Sequence, residues 1–215
     1  MRKALCIMMV AAAGSVASAD VLWDQSQLDW NANGFFNSIS GGFPFGSTVY
    51  SVADVTVPAG GWTVNSISMY FTLFTSSWDQ DVTQGRLYVQ PKTGAAPTVL
   101  PGGALVPMSA VALNDPIQFQ GYYEVTAAGL NINLAPGEYW IGITPAAPGG
   151  PFGPEIGLPS ANPVGASTYS FDGNAGGPWT NVGVDAAIKV QGIPAPAGVA
   201  VAGLAGLFAS RRRRA

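Results

Sequence analysis

Reactive side chains are scarce in this chain. Its 215 residues include no histidine and a single cysteine, Cys6. Without imidazole there is no Ser-His-Asp triad, no Cys-His dyad and no imidazole-built zinc site, and the commonest acid–base group near neutral pH is missing. What remains is carboxylate chemistry. A glycosidase needs two carboxyls at a set separation, and Asp79, Asp81, Asp115, Glu124, Glu138 and Glu155 are on offer. Their spacing singles out no pair: Glu138 follows a Pro-Gly turn and Asp115 precedes Pro116, which are ordinary edge and turn placements. No catalytic residue is assigned, and the expectation is a protein that is not an enzyme and needs no cofactor, with a carboxylate-dependent glycoside hydrolase as the remote alternative. Asp79 and Asp81 flank Gln80 and offer two oxygens to a calcium ion that takes six to eight, so they are calcium candidates without making a metal site.

Six tryptophans are the other notable side chains: Trp23, Trp30, Trp62, Trp78, Trp140 and Trp179. Indole faces stack on sugar rings, but most tryptophans of a β-sheet protein are buried. Trp62 and Trp140 open apolar runs beside glycine turns and are expected in the core. Trp78, next to Asp79, and Trp179, after Gly176-Gly177-Pro178, are expected in exposed loops. If a glycan is bound, Trp78 and Trp179 would stack on it and Asp172 and Asn174 would supply hydrogen bonds.

These residues must be positioned by strands. From Trp62 to Thr75, Ile67, Met69, Phe71 and Leu73 fall on one face and Ser66, Ser68, Tyr70 and Thr72 on the other, the period-two pattern of a half-buried strand. Further strands are expected at Thr48–Val57, Arg86–Gln90, Ile117–Thr126, Glu138–Thr144, Ser167–Phe171 and Asp185–Gln191, with Val21–Trp23 and Leu130–Leu134 as shorter candidates. Pro58-Ala59-Gly60-Gly61, Pro101-Gly102-Gly103, Ala135-Pro136-Gly137 and Asp172-Gly173-Asn174 supply turns. The 22 residues from Pro145 to Ala166 hold six prolines and five glycines and are expected to form an irregular loop. No sustained 3.6 period occurs between the termini, and no internal repeat. The pattern predicts an all-β fold, an antiparallel β-sandwich of jelly-roll-like type, with a closed barrel as the alternative.

The two ends read as addresses. Arg2 and Lys3 precede an apolar stretch from Ala4 to Ala13, and Ala17-Ser18-Ala19 is a small-x-small cleavage site, so residues 1–19 are expected to be a secretory signal peptide cut after Ala19. Cys6 lies inside it, which leaves the mature chain without disulfide, thiol nucleophile or cysteine metal site. Between Asp20 and Lys189, twelve acidic residues face only Arg86, Lys92 and Lys189, a net charge of −9. That excludes nucleic-acid binding, which needs clustered Lys and Arg. At the other end Pro194, Ala195 and Pro196 break the chain, Ala197 to Ala209 is apolar, and Arg211, Arg212, Arg213 and Arg214 follow Ser210. An apolar helix with a basic end inserts into a bilayer with that end cytoplasmic. The fourteen residues from Ala197 to Ser210 fall short of the roughly 20 of a permanent span, so a transient hold on the inner membrane fits better than a lasting anchor.

This tail resembles the PEP-CTERM sorting signal: a Pro-Glu-Pro-like motif, a short hydrophobic helix and a terminal arginine cluster. Pro194, Pro196, the Gly203-Leu204-Ala205-Gly206-Leu207 core and Arg211 to Arg214 match in type and order, while Ala195 stands where the motif has glutamate. The segment from Tyr50 to Val64 is similar to one that recurs in secreted bacterial proteins with such tails, and Leu134 to Ile141 resembles the strand after a Pro-Gly turn in β-sandwich adhesive modules. The resemblance implies residues 20–192 as the sandwich domain and 193–215 as a sorting signal read by an exosortase-like membrane protease. It further implies an exported, cell-surface or extracellular protein that serves the envelope or an extracellular polysaccharide matrix, with a carbohydrate-binding or adhesive module as the alternative.

Overall fold

Alternation becomes strands in the computed structural model, which describes residues 19–40, 48–73, 82–99, 101–113, 121–147, 156–165, 167–172 and 178–195. In chain order the strands are β1 (Asp20–Asp24), β2 (Phe35–Phe36), β3 (Ser38–Ser40), β4 (Thr48–Val57), β5 (Trp62–Leu73), β6 (Gln84–Pro91), β7 (Val106–Pro107), β8 (Ser109–Ala112), β9 (Gly121–Leu134), β10 (Gly137–Ala147), β11 (Ile156–Gly157), β12 (Tyr169–Asp172), β13 (Thr180–Asn181) and β14 (Ile188–Pro194). No helix occurs among the described residues.

The strands divide into two sheets, so the fold is an antiparallel β-sandwich and not a closed barrel. In the first sheet β9 lines one side of β5 and carries β8 at its outer edge, while β14 and β11 share the other side of β5 and carry β1 and β2. The second sheet runs β13-β12-β4-β3-β10-β6-β7. Every pairing is antiparallel except β10 with β3. Successive strands such as β4 and β5 lie in different sheets, the crossing pattern of jelly-roll-like sandwiches.

The core lies between the sheets. β4 contributes Ala53, Val55 and Val57, β10 contributes Ile141 and Ile143, and β5, β9 and β14 face them with Ile67, Met69, Phe71, Val125, Ala127, Ile188 and Val190. Each fully buried aliphatic side chain is worth roughly 1.5–3 kcal/mol. In β5 the buried positions change parity: Trp62 and Val64 are inside, then Ile67, Met69 and Phe71. Asn65 is the extra residue of a bulge against β14, while β9 sets three residues, Gly129 to Asn131, opposite it.

A fork opens the second sheet. β10 and β4 pair from Gly137↔Val57 to Ile141↔Ala53 and then part. Gly142 marks the parting: a Cβ there would sit 2.1 Å from the Ser51 carbonyl oxygen. The gap is filled by β3, antiparallel to β4 and parallel to β10, and by the fully buried Asn37. Its Nδ2 donates to Ile143 O at 2.9 Å, and its Oδ1 accepts from Ser51 N at 3.2 Å and Thr144 Oγ1 at 2.7 Å. The amide side chain thus replaces the missing rungs of the ladder. Ile143 N–H, also released by the fork, donates to Met69 Sδ of the opposite sheet at 3.3 Å. Met69→Leu, which conserves volume, is therefore expected to cost about 1–2 kcal/mol by orphaning a buried amide. Urea unfolding checks this, and an unchanged midpoint would count against the sulfur bond.

β1 pairs with β14 in the register Asp20↔Gly192 to Asp24↔Lys189. The last strand runs to Pro194, opposite Trp62, and Ala195 N–H donates to Gly61 O at 3.0 Å. The sheet therefore holds Pro194 and Ala195, three residues past the expected domain end at 192. Gly61 fits this contact because its φ is 80° and a Cβ would lie 2.5 Å from Leu134 O.

Several expectations change. Leu130–Leu134 is not a separate strand but the end of β9, which is continuous from Gly121 across a register shift opposite Asn65. The stretch from Pro145 is partly regular: β10 continues to Ala147, β11 pairs with β5 and β2, and Pro159 and Ser160 form single bridges with Ala186 and Leu28. Trp140 is buried, but with Val52 and Tyr88 on the outer face of the second sheet instead of the inter-sheet core. The expected signal peptide through Ser18, including Ala17, and the tail from Pro196, including Arg211 to Arg214, lie outside the described residues.

Candidate functional site

Alternation along the strands of the second sheet sends a second set of large side chains to its outer face. β4 supplies Tyr50, Val52 and Asp54; β12, paired with β4 in the register Tyr169↔Val52 and Phe171↔Tyr50, supplies Tyr169 and Phe171. β6 and β10 add Arg86, Tyr88 and Trp140. Gly142, opposite Tyr88, adds no side chain to this face, and Trp179 reaches from Tyr88 of β6 to Phe171 of β12. Its ring meets Tyr88 at 5.4 Å and Phe171 at 5.5 Å, and Nε1 donates to Val99 O at 3.2 Å. The same carbonyl accepts the Tyr88 hydroxyl at 2.8 Å. Trp179 is thus half-buried and tied into the face, not standing free in a loop.

Of the other glycan candidates, Trp78 and Asn174 lie outside the described residues, as do the calcium candidates Asp79 and Asp81 and the carboxylates Asp115 and Glu155. Asp172 closes β12 opposite Val49. The remaining acids separate: Glu124 pairs with Lys189 at 2.6 Å on the first sheet, and Glu138 lies 3.4 Å from Lys92 on the second. Among the described residues no group of three or more acidic or thiol side chains converges as a metal site would require.

Lys92 also meets Asp54 at 2.8 Å and sits 5.1 Å from the Trp140 ring centre. Burial pushes its pKa down, but the bond and charge of Asp54, with help from Glu138, outweigh this and hold it above the usual lysine value. Arg86, the third cation of the domain, lies over Tyr50 at 5.5 Å, and its Nε is buried without an acceptor.

The most perturbed acid is one that the sequence did not single out. Asp185, between β13 and β14, is 7% exposed. Gln25 Nε2 stands 3.4 Å from its Oδ2 and also donates to Val164 O, while Oδ1 has no partner. Burial first, and then the charge of Asp54, raise its pKa to about 6, against weaker downward pulls from the Val164 amide and Gln25. Asp54 reaches the same segment: a Cβ on Gly165 would lie 2.6 Å from its Oδ2. Asp185 thus accepts from the Val164 amide, and the Asp54 carboxylate packs against the next residue, Gly165. Beside them is an open pocket of ≈ 350 Å³ whose lining includes Asp29, Ser160, Ser167 and Asp185. The only hint in the sequence was an acid placed among small apolar residues, Val184, Ala186 and Ala187.

No protein-family model, curated protein or solved structure matches this chain.

Proposed function

We propose that this is an exported, surface-sorted β-sandwich that serves the cell envelope or its polysaccharide matrix without catalysis. One observation carries the reading: the folded body fits between the two addresses. β1 opens at Asp20, directly after the Ala17-Ser18-Ala19 site, and β14 closes at Pro194, where the Pro-x-Pro motif starts. Removal of a leader through Ala19 and of a tail after Ala195 would leave both sheets intact. The acidic surface and the absence of histidine and mature cysteine also suit an extracellular role outside acid–base catalysis at neutral pH. The carbohydrate-binding alternative has Trp179 as its one described aromatic candidate, and that ring already spans Tyr88 and Phe171.

The test is the intact mass of the protein recovered from its native surface or medium. The expected chain starts at Asp20 and ends between Ala195 and Ala197. A mass that retains Arg211 to Arg214 would mean a lasting membrane tether and defeat the sorting reading.

A further inference from the structure

Strand β6 is covered on one side over most of its length and open on the other. β10 pairs with it from Gln84 to Pro91, whereas β7 reaches only Gln84 and Gly85. In an antiparallel ladder, alternate residues aim both main-chain groups at the same neighbour. Lys92 N donates to Glu138 of β10, and on the other side Met108 N donates to Thr83 O. Even-numbered residues of β6 therefore face β10 and odd-numbered ones face away. This parity puts the N–H and C=O of Leu87 and Val89 on the open edge. Among the described residues, no main-chain bond from 93–105 reaches them.

The chain after β6 leaves a slot along this edge. Val99 is pinned above the sheet by Tyr88 and Trp179, and the return leg through Gly102 and Gly103 stays apart from β6 until Val106. That leg is unsuited to closing the gap itself, because Pro101 has no N–H and Gly103 has a φ of 89°. The intervening space is ≈ 430 Å³, lined by Leu87 to Gln90 on one side and by Val99, Gly102 and Gly103 on the other. Its size is that of a ligand site, and an unpaired strand edge complements an extended main chain.

We infer that this slot binds an extended peptide, which adds as a strand between β6 and the opposite wall of Val99, Gly102 and Gly103. The partner's chemistry follows from the walls and the charge. No charged side chain lines the slot, so the inserted residues are uncharged. Leu87 and Val89 pack toward the core, so every second inserted residue is apolar and continues its rim. The domain as a whole carries twelve acids against three bases, and the bases nearest in sequence are already engaged, Lys92 by Asp54 and Arg86 over Tyr50, so the flanks of the peptide are neutral or basic. A second copy of this chain carries the same negative charge and is the poorer occupant.

The test is selection of random twelve-residue peptides displayed on phage against the whole secreted protein. Enriched peptides are expected to alternate apolar residues and to lack Asp and Glu. Val89→Pro, which removes an outward N–H, should weaken them about tenfold or more, whereas Val89→Ala, which keeps it, should not. Amide exchange at Leu87 and Val89 should be fast in the free protein and slow about tenfold or more on binding. If Val89→Pro fails to fold, the exchange measurement decides alone. The inference is overturned if no enriched peptide slows those two amides, or if both are already protected in the free protein.

Discussion

Asn37→Leu is expected to lower stability by about 3–5 kcal/mol. Leucine fills the fork with nearly the same volume, but it leaves three buried groups without partners: Ile143 C=O, Ser51 N–H and the Thr144 hydroxyl. Each orphan costs about 1–3 kcal/mol, and hydroxyl rotation relieves part of the third. For a domain of this size such a loss lowers Tm by roughly 10 °C or more. Thr144→Val removes a single bond to the same amide and should cost about 1 kcal/mol. Urea unfolding of both variants provides the comparison. Equal losses would show that the amide is not what holds the fork.

Asp185→Asn should change the pH dependence of stability more than any other acid replacement among the described residues. The folded pKa of about 6 lies above the ordinary 3.8. Below pH 4 the side chain is protonated in both states and contributes nothing. As pH rises from 4 to 6 the unfolded chain gives up its proton while the folded one keeps it. Stability therefore falls with rising pH and levels off above 6. The full loss is at most about 3 kcal/mol. Burial sets it first and the charge of Asp54 second, against the weaker pulls of the Val164 amide and Gln25. Asp185→Asn removes the titration, so the variant should gain on the parent by about 2–3 kcal/mol between pH 4 and pH 7. Parallel curves over that range would mean that Asp185 ionises normally in the fold.

The contrast between these two residues shows what the sequence made legible. Thr48–Val57 was found with its bounds intact because ten residues of β-branched alternation are a local signal. Asn37 was missed because its role depends on the register of two strands about 14 and 106 residues away. Strands of two residues, such as β7 and β11, carry no period at all and exist through their partners. Trp140 shows a different limit. It was expected in the core because it opens a strand beside a glycine turn; strand parity puts it on the face opposite Ile141, but parity does not say which face is covered, and here both are. Asp54 sits at an outward position of β4 and reads as solvated, yet Gly165 and Lys92 stand against it and it is buried. Of the glycan-binding candidates, only Trp179 lies with its side chain among the described residues, and its neighbours come from β6 and β12.

The pairing of β1 with β14 has a mechanical consequence. Ladder bonds lie across the strands, so a pull along β14 from Pro194, resisted by the body of the sandwich, loads its contacts with β5 and β1 together, in shear. A pull between Asp20 and Pro194, which leave from the same end of the sheet, would instead open the β1–β14 ladder one rung at a time, like a zipper. A protein held by its tail would meet only the first kind of load. Single-molecule pulling through these two pairs of points should therefore give a high rupture force in the first geometry and a low one in the second.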